Sequence, residues 1–189
     1  FFVISDFVQW LGHNAMHRIP WLWAFHKVHH SIDQMDWAGN FRYHWVENVV
    51  YRCVQFVPLA VLGASHQATF WVYVFGTAWG HFNHSNLAIG IGPLRRVFNS
   101  PAMHLWHHDF DRKGSNTVNF GIIFSLWDWI FGTAWMPDSS TPRRIGFEGD
   151  ESFPQDFLSQ SAWPLSALTR RLPHATLISM ALGAATLGG

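Results

Sequence analysis

Histidine spacing constrains this chain more than any other feature. Ten of its 13 histidines fall in four clusters. They are His13 and His17 (H-x-x-x-H), His26, His29 and His30 (H-x-x-H-H), His81 and His84 (H-x-x-H), and His104, His107 and His108 (H-x-x-H-H). Residues three and four apart share a helix face, so each cluster aims two or three imidazoles at one point. Neutral imidazole offers a lone pair, and a metal needs several that converge. Ten ligands exceed one tetrahedral site, which implies two metals sharing them. Spacing does not choose among iron, zinc, copper and nickel. A lone histidine is usually a hydrogen-bonded packing residue, but this recurrence is not explained that way.

Composition narrows the field further. Lys+Arg and Asp+Glu are equal at 12 each, which excludes a basic nucleic-acid surface. One cysteine excludes an internal disulfide, thiolate zinc fingers and iron–sulfur clusters, and Cys53, on an apolar stretch, reads as a buried packing residue. With 49% hydrophobic residues the chain is not disordered, and 189 residues suit one domain.

Phe1–Gly12 suits the end of a helix begun upstream, and the N-terminus reads as cut or processed, with no signal peptide inferred. Pro20 interrupts, and a helical pattern restarts at Trp21 and runs through His30. Two apolar runs, Trp45–Leu62 (with Glu47, Arg52 and Pro58) and Gln67–Gly80, flank a Gly63-Ala64-Ser65 turn. Each is shorter than the roughly 20 residues of an ordinary span, and the mean hydropathy is only +0.04. A helical hairpin dipping into a membrane nevertheless fits better than two core helices. Arms of roughly 18 residues reach about 27 Å, close to the hydrocarbon thickness. Such a hairpin returns His81 and His84 to the side of His26–His30 and leaves His66 at the far tip, away from any metal. Met103–Asp109 is a short helix, residues 137–154 a polar surface loop, residues 162–171 an interfacial helix, and His174 incidental.

The wording around the histidines resembles the fatty acid hydroxylase / sterol desaturase superfamily. Trp23-Ala24-Phe25-His26-Lys27-Val28-His29-His30-Ser31 is similar to the family's W-x-F-H-x-x-H-H-S, Arg42-Tyr43-His44 to its R-x-H, and His84-Ser85-Asn86 to its H-S-N. Pro101 to His108 is similar to its P-x-x-H-x-x-H-H, and Asn119-Phe120-Gly121 with Trp127 to Thr133 to its N-(F/Y)-G … W-D-x-x-F-G-T ending. The resemblance runs from about Asp6 to Trp135.

The resemblance implies an all-α, integral membrane helical domain with a helical hairpin and a histidine-rich metal-binding cap on the cytoplasmic face. Residues 1–136 would form this domain, its N-terminal membrane helices missing, and residues 137–189 a polar loop and tail. It implies two non-haem irons held by His13, His17, His26, His29, His30, His81, His84, His104, His107 and His108, with zinc able to stand in for iron in a purified preparation. His44 and Asp109 stand as either ligands or residues behind them. The implied reaction is dioxygen-dependent hydroxylation or desaturation of a lipid C–H bond, and zinc's lack of redox chemistry agrees with iron.

Candidates to orient the imidazole rings are Asp6, Asp33, Asp109, Asp111 and Asn116, whereas Asp128 reads as fixing a helix end. Arg18, Lys27, Arg42, Arg95, Arg96, Arg112 and Lys113 cluster with the histidine segments, as the positive-inside tendency expects of a cytoplasmic face. Arg143, Arg144, Arg170 and Arg171 read as headgroup contacts. Gly90-Ile91-Gly92-Pro93 is no dinucleotide fingerprint, so electrons come from an external ferredoxin or haem protein with its reductase. The competing reading is a non-enzymatic membrane protein that stores or transports zinc or iron. Against it, transport sites usually lie near the bilayer midplane.

Overall fold

The computed structural model describes residues 1–110, 118–137 and 141–169. Asp111, Arg112, Lys113, Asn116, Arg170, Arg171 and His174 lie outside the described residues. The first compact unit runs from Phe1 to Phe153, so residues 141–153 of the polar stretch belong to it.

Local chemistry sets the helix boundaries. Helix α1 (Phe2–Arg18) stops at Ile19 because Pro20 follows, and that proline opens α2 (Pro20–His30) at the position where its missing N–H costs nothing. Helix α3 (Trp45–Val61) begins at His44, whose Nδ1 accepts from the Val46 amide at 3.1 Å. After α3 the chain turns at Gly63 in the left-handed region (φ 76°), and Ser65 Oγ caps α4 (His66–His84) by accepting from Ala68 N. Ser100 Oγ and Pro101 likewise open α5 (Pro101–His107), and α6 (Leu126–Ile130) follows. Short 3₁₀ turns cover Trp37–Phe41, Gly92–Arg96 and Asp150–Ser152. Extended pairing among the described residues is one bridge, Asp109 with Ile145.

Helix α1 packs against α2, α3 and α4, while α4 packs against α5 and the Trp37–Phe41 turn. Beside an apolar core that includes Trp10, Leu59, Met103 and Phe120, the described residues bury many polar side chains. Eight histidines of the clusters are buried, together with Asn83, Asn99, Asn119, Gln55 and Asp128. Val49, Val57, Val61, Phe70, Trp71 and Phe75 of the hairpin are exposed. Cys53 corrects the sequence expectation: it is exposed, four residues from Val49 and from Val57 and so on their outward stripe. No helix among the described residues is long and apolar enough to cross a membrane.

The second unit is Pro154–Gly189. Within it α7 (Phe157–Thr169) starts five residues earlier than the composition suggested, because the Asp156 carboxylate accepts from Ser159 N at 2.9 Å and caps it.

Candidate metal centre

Four elements bring the histidines together, and they form two groups. His13, His17, His26, His30 and His107 make one; His29, His84, His104 and His108 make the other. Within each group the candidate ligand nitrogens all lie within 4.8 Å of one another. Each H-x-x-H-H motif is divided between the groups. Helix α2 gives its i, i+4 pair, His26 and His30, to the first group and His29 to the second. Helix α5 does the reverse, giving His104 and His108 to the second and His107 to the first. The i and i+4 side chains lie one above the other, whereas the third points partly aside. The groups therefore touch, with His30 stacked on His108 at 4.2 Å between ring centroids.

The second group shows what the arrangement could hold. His84 Nε2 lies 3.1 Å from His29 Nε2 and 3.2 Å from His104 Nε2, and His108 Nε2 lies 3.3 Å from His104 Nε2. Imidazole nitrogens bound at about 2.1 Å to one ion stand about 3.0–3.4 Å apart, so this spacing fits a shared metal. The first group leaves His26 Nε2, His107 Nε2 and both nitrogens of His17 and His30 buried without a hydrogen-bond partner. Buried polar atoms are rarely left so, and a metal would satisfy them.

Acceptors behind the rings fix their tautomers. The Nδ1–H of His13 donates to the Phe120 carbonyl at 2.8 Å, that of His107 to Val118 at 2.7 Å, that of His29 to Arg42 at 3.2 Å and that of His84 to Gly80 at 2.8 Å. His26 alone among these five meets a carboxylate, Glu47 Oε1, at 2.7 Å. Each such bond turns the Nε2 lone pair toward the centre. Burial pushes the pKa of His29, His30, His104 and His108 well below the ordinary value, and mutual repulsion among imidazoliums adds to it. Burial likewise lowers His107 to about 3, against the opposing pull of the Val118 carbonyl. All five are neutral at pH 7, as ligands must be.

Three expected residues stand elsewhere. His81 stands apart from the other expected ligands and joins neither group. Its Nδ1–H donates to the Trp37 carbonyl at 2.8 Å and its ring packs on Phe41, because the turn of α4 that aims His84 inward rotates His81 toward the Trp37–Phe41 turn. His44 caps α3 and packs on Phe25, and Asp109, buried, pairs through its backbone with Ile145; neither belongs to a group. His66 lies at the start of α4, also outside both.

The surrounding motif residues have visible roles. Arg42 Nε donates to the Val28 carbonyl and Ser31 Oγ, closing the end of α2 while its own carbonyl holds His29. Tyr43 stacks on His29 at 5.0 Å. Asp128, far from a mere helix end, accepts from Trp10 Nε1, Phe120 N, Gly121 N and Thr133 Oγ1. It thereby holds the loop whose Phe120 carbonyl orients His13. Gly121 is required there: a Cβ would lie 2.4 Å from the Phe124 carbonyl oxygen. Asp6 serves the same loop, accepting from Ile123 N, Phe124 N and Trp127 Nε1. Glu47 was missed by the sequence reading, although an isolated acid in an apolar run was the signal.

A cavity of about 60 Å³ opens against His26, His29, His84 and His104, between α1, α3 and α4. Beyond Met16, Glu47 and Tyr51, which line both spaces, lies an apolar pocket of about 140 Å³ walled by Trp21, Phe25, Val50 and Val54.

Helices carrying two adjoining groups of buried imidazoles beneath an apolar hairpin define a class of histidine-rich helical proteins whose clusters could hold metal. The family described as fatty acid hydroxylase matches residues 1–133, and the chain belongs to that family. It is 30% identical over 169 residues to the ornithine lipid hydroxylase OlsE of Rhizobium tropici, covering 89% of this chain and 50% of that protein. It is 30% identical over 157 residues to the alkylglycerol monooxygenase of Caenorhabditis elegans (78% and 29%), and 24% identical over 137 residues to methylsterol monooxygenase 1-3 of Arabidopsis thaliana (70% and 46%). The chain thus spans half or less of the length of these relatives. No solved structure matches it.

Proposed function

We propose that this chain is the metal-binding core of an oxygen-dependent lipid hydroxylase, with two irons held by the nine grouped histidines. The observation that carries the reading is the convergence of His29, His84, His104 and His108 through nitrogens 3.1–3.3 Å apart. Family membership and relatives named as hydroxylases and monooxygenases support hydroxylation of a lipid. The reaction balances as one oxygen atom inserted into a C–H bond and the other reduced to water, consuming two electrons and two protons. When bound, the irons supply dioxygen activation, which zinc does not.

The chain's own residues hold and orient. Glu47 and the carbonyls of Phe120, Val118, Arg42 and Gly80 hold the imidazoles by Nδ1–H with Nε2 turned inward. The hairpin, with Val49, Val57, Phe70 and Phe75 exposed on it, lies in the membrane, and the polar ends that carry the histidines face the cytoplasm beside Arg18, Lys27, Arg42, Arg95 and Arg96. An external ferredoxin or haem protein with its reductase delivers the electrons.

Comparative lipid profiling of cells with and without the gene tests this reading. An oxygenated lipid that disappears with the gene, and is not restored by the His107→Ala variant, is the expected result. Identical profiles, with tightly held zinc that iron does not replace, would mean a metal store or carrier instead.

A further inference from the structure

We infer that this oxygenase, taken as read above, oxidises a carbon bearing or adjoining a hydroxyl or amide group, and that the cavity inside the hairpin holds that group. The cavity is walled on one side by His26 and His29 of α2, His84 of α4 and His104 of α5, drawn from both histidine groups. Whatever fills it stands next to the metals.

Its other walls carry several polar side chains. Gln9 of α1, Asn48 and Arg52 of α3, and Thr77 and Asn83 of α4 line it. Asn48, Arg52 and the buried Gln55 recur at i, i+4 and i+7, one face of α3, while Val49, Cys53 and Val57 recur on another. On that face Gln55 is buried and Arg52 half-buried. Three buried atoms along the cavity have no hydrogen-bond partner: Glu47 Oε2, Thr77 Oγ1 and Asn83 Oδ1. Glu47 and Asn83 are 6% and 1% exposed, so water does not cover them from outside. A methylene chain seated here would leave all three unsatisfied, a standing cost. At about 60 Å³ the cavity takes only a few heavy atoms.

The lining also selects the kind of group. Glu47 and Asn83 offer acceptors, Arg52 offers donors, and the Thr77 hydroxyl serves as either. A hydroxyl or an amide presents both a donor and an acceptor and satisfies such a set; an ether or ester only accepts and leaves Glu47 Oε2 and Asn83 Oδ1 unpaired, and an ammonium would stand against the Arg52 guanidinium. The apolar pocket on the far side of Met16 and Tyr51 takes the attached hydrocarbon. The substrate is thus an amphipathic lipid that enters with its polar end toward the metals.

The test uses the full chain, loaded with iron, supplied with reductant and labelled dioxygen, and offered a polar lipid extract. Tandem mass spectrometry then locates the label. Label on a carbon bearing, or next to one bearing, a hydroxyl or amide is the expected result. Label on an internal acyl methylene overturns the inference while leaving the oxygenase intact; no label anywhere overturns the oxygenase reading, and the inference falls with it. The Thr77→Val and Arg52→Met variants should keep their iron and raise KM at least tenfold with a smaller change in kcat. Unchanged KM in both would contradict the assignment.

Discussion

The two histidine groups are built from the same side chain but held by different means. In the group of five, the ring of His26 is held by a carboxylate, Glu47, and that of His13 by a carbonyl which Asp128 keeps in place. In the group of four, His29 and His84 are held by the main-chain carbonyls of Arg42 and Gly80. The first group is therefore open to tuning through the side chains behind it, whereas the second is set by helix geometry and α2's end. Two metals in these groups would meet unequal electrostatic surroundings.

Several substitutions press on that difference. The largest effect belongs to His107→Ala, since its ring contacts partners in both groups, His13 at 4.5 Å and His104 at 5.1 Å. Loss of metal and of product by more than about a hundredfold is expected, while His66→Ala keeps both. Equal effects at the two positions would refute the placement of the groups. Next, Asp128→Asn replaces an acceptor of four donors with an amide that must turn an N–H toward some of them. Stability should fall by about 2–4 kcal/mol, read by denaturant unfolding, with the group of five disturbed more than the group of four.

Glu47→Gln should weaken metal binding in the group of five by about 10–100-fold and leave the other group's affinity within about twofold, read by competition with a chelator. Equal weakening of both would mean that the groups do not differ in the way described. The smallest effect is at His81→Ala, where metal content should be unchanged because that ring bonds Trp37 and packs on Phe41.

Acidification acts on the metal-free protein through the same burial. His107 titrates at about 3 in the folded chain against 6.5 as its ordinary value, so between those limits the unfolded chain binds the proton and the folded one does not. Stability therefore falls as pH drops from about 6.5 toward 3, by as much as about 1.4 kcal/mol per pH unit for each such histidine. Above about pH 7 His107 contributes no slope. Metal lowers the onset of this loss, because a bound ion competes with the proton.

Much of this arrangement was legible in the sequence because it depends on short spacings. His26 and His30, or His104 and His108, share a face by helical period alone, and Pro20 marked the break between α1 and α2. The unread parts depend on distant pairings. Which of two inward-leaning residues, His81 or His84, meets the centre is decided by how α4 packs on the Trp37–Phe41 turn. The roles of Glu47 and Asp128 rest on contacts 21 and 118 residues away in the chain, to His26 and Trp10. Cys53 was placed inside because its neighbours are apolar, but in this hairpin the apolar stripe faces out.

Metal stoichiometry and ligation in the full chain test the central claim most directly. Iron-loaded protein should carry two ions per chain, with His26→Ala and His84→Ala each losing a different one, distinguishable by their spectroscopic signatures. One ion per chain, or the same ion lost from both variants, would contradict the division of the nine histidines into two sites.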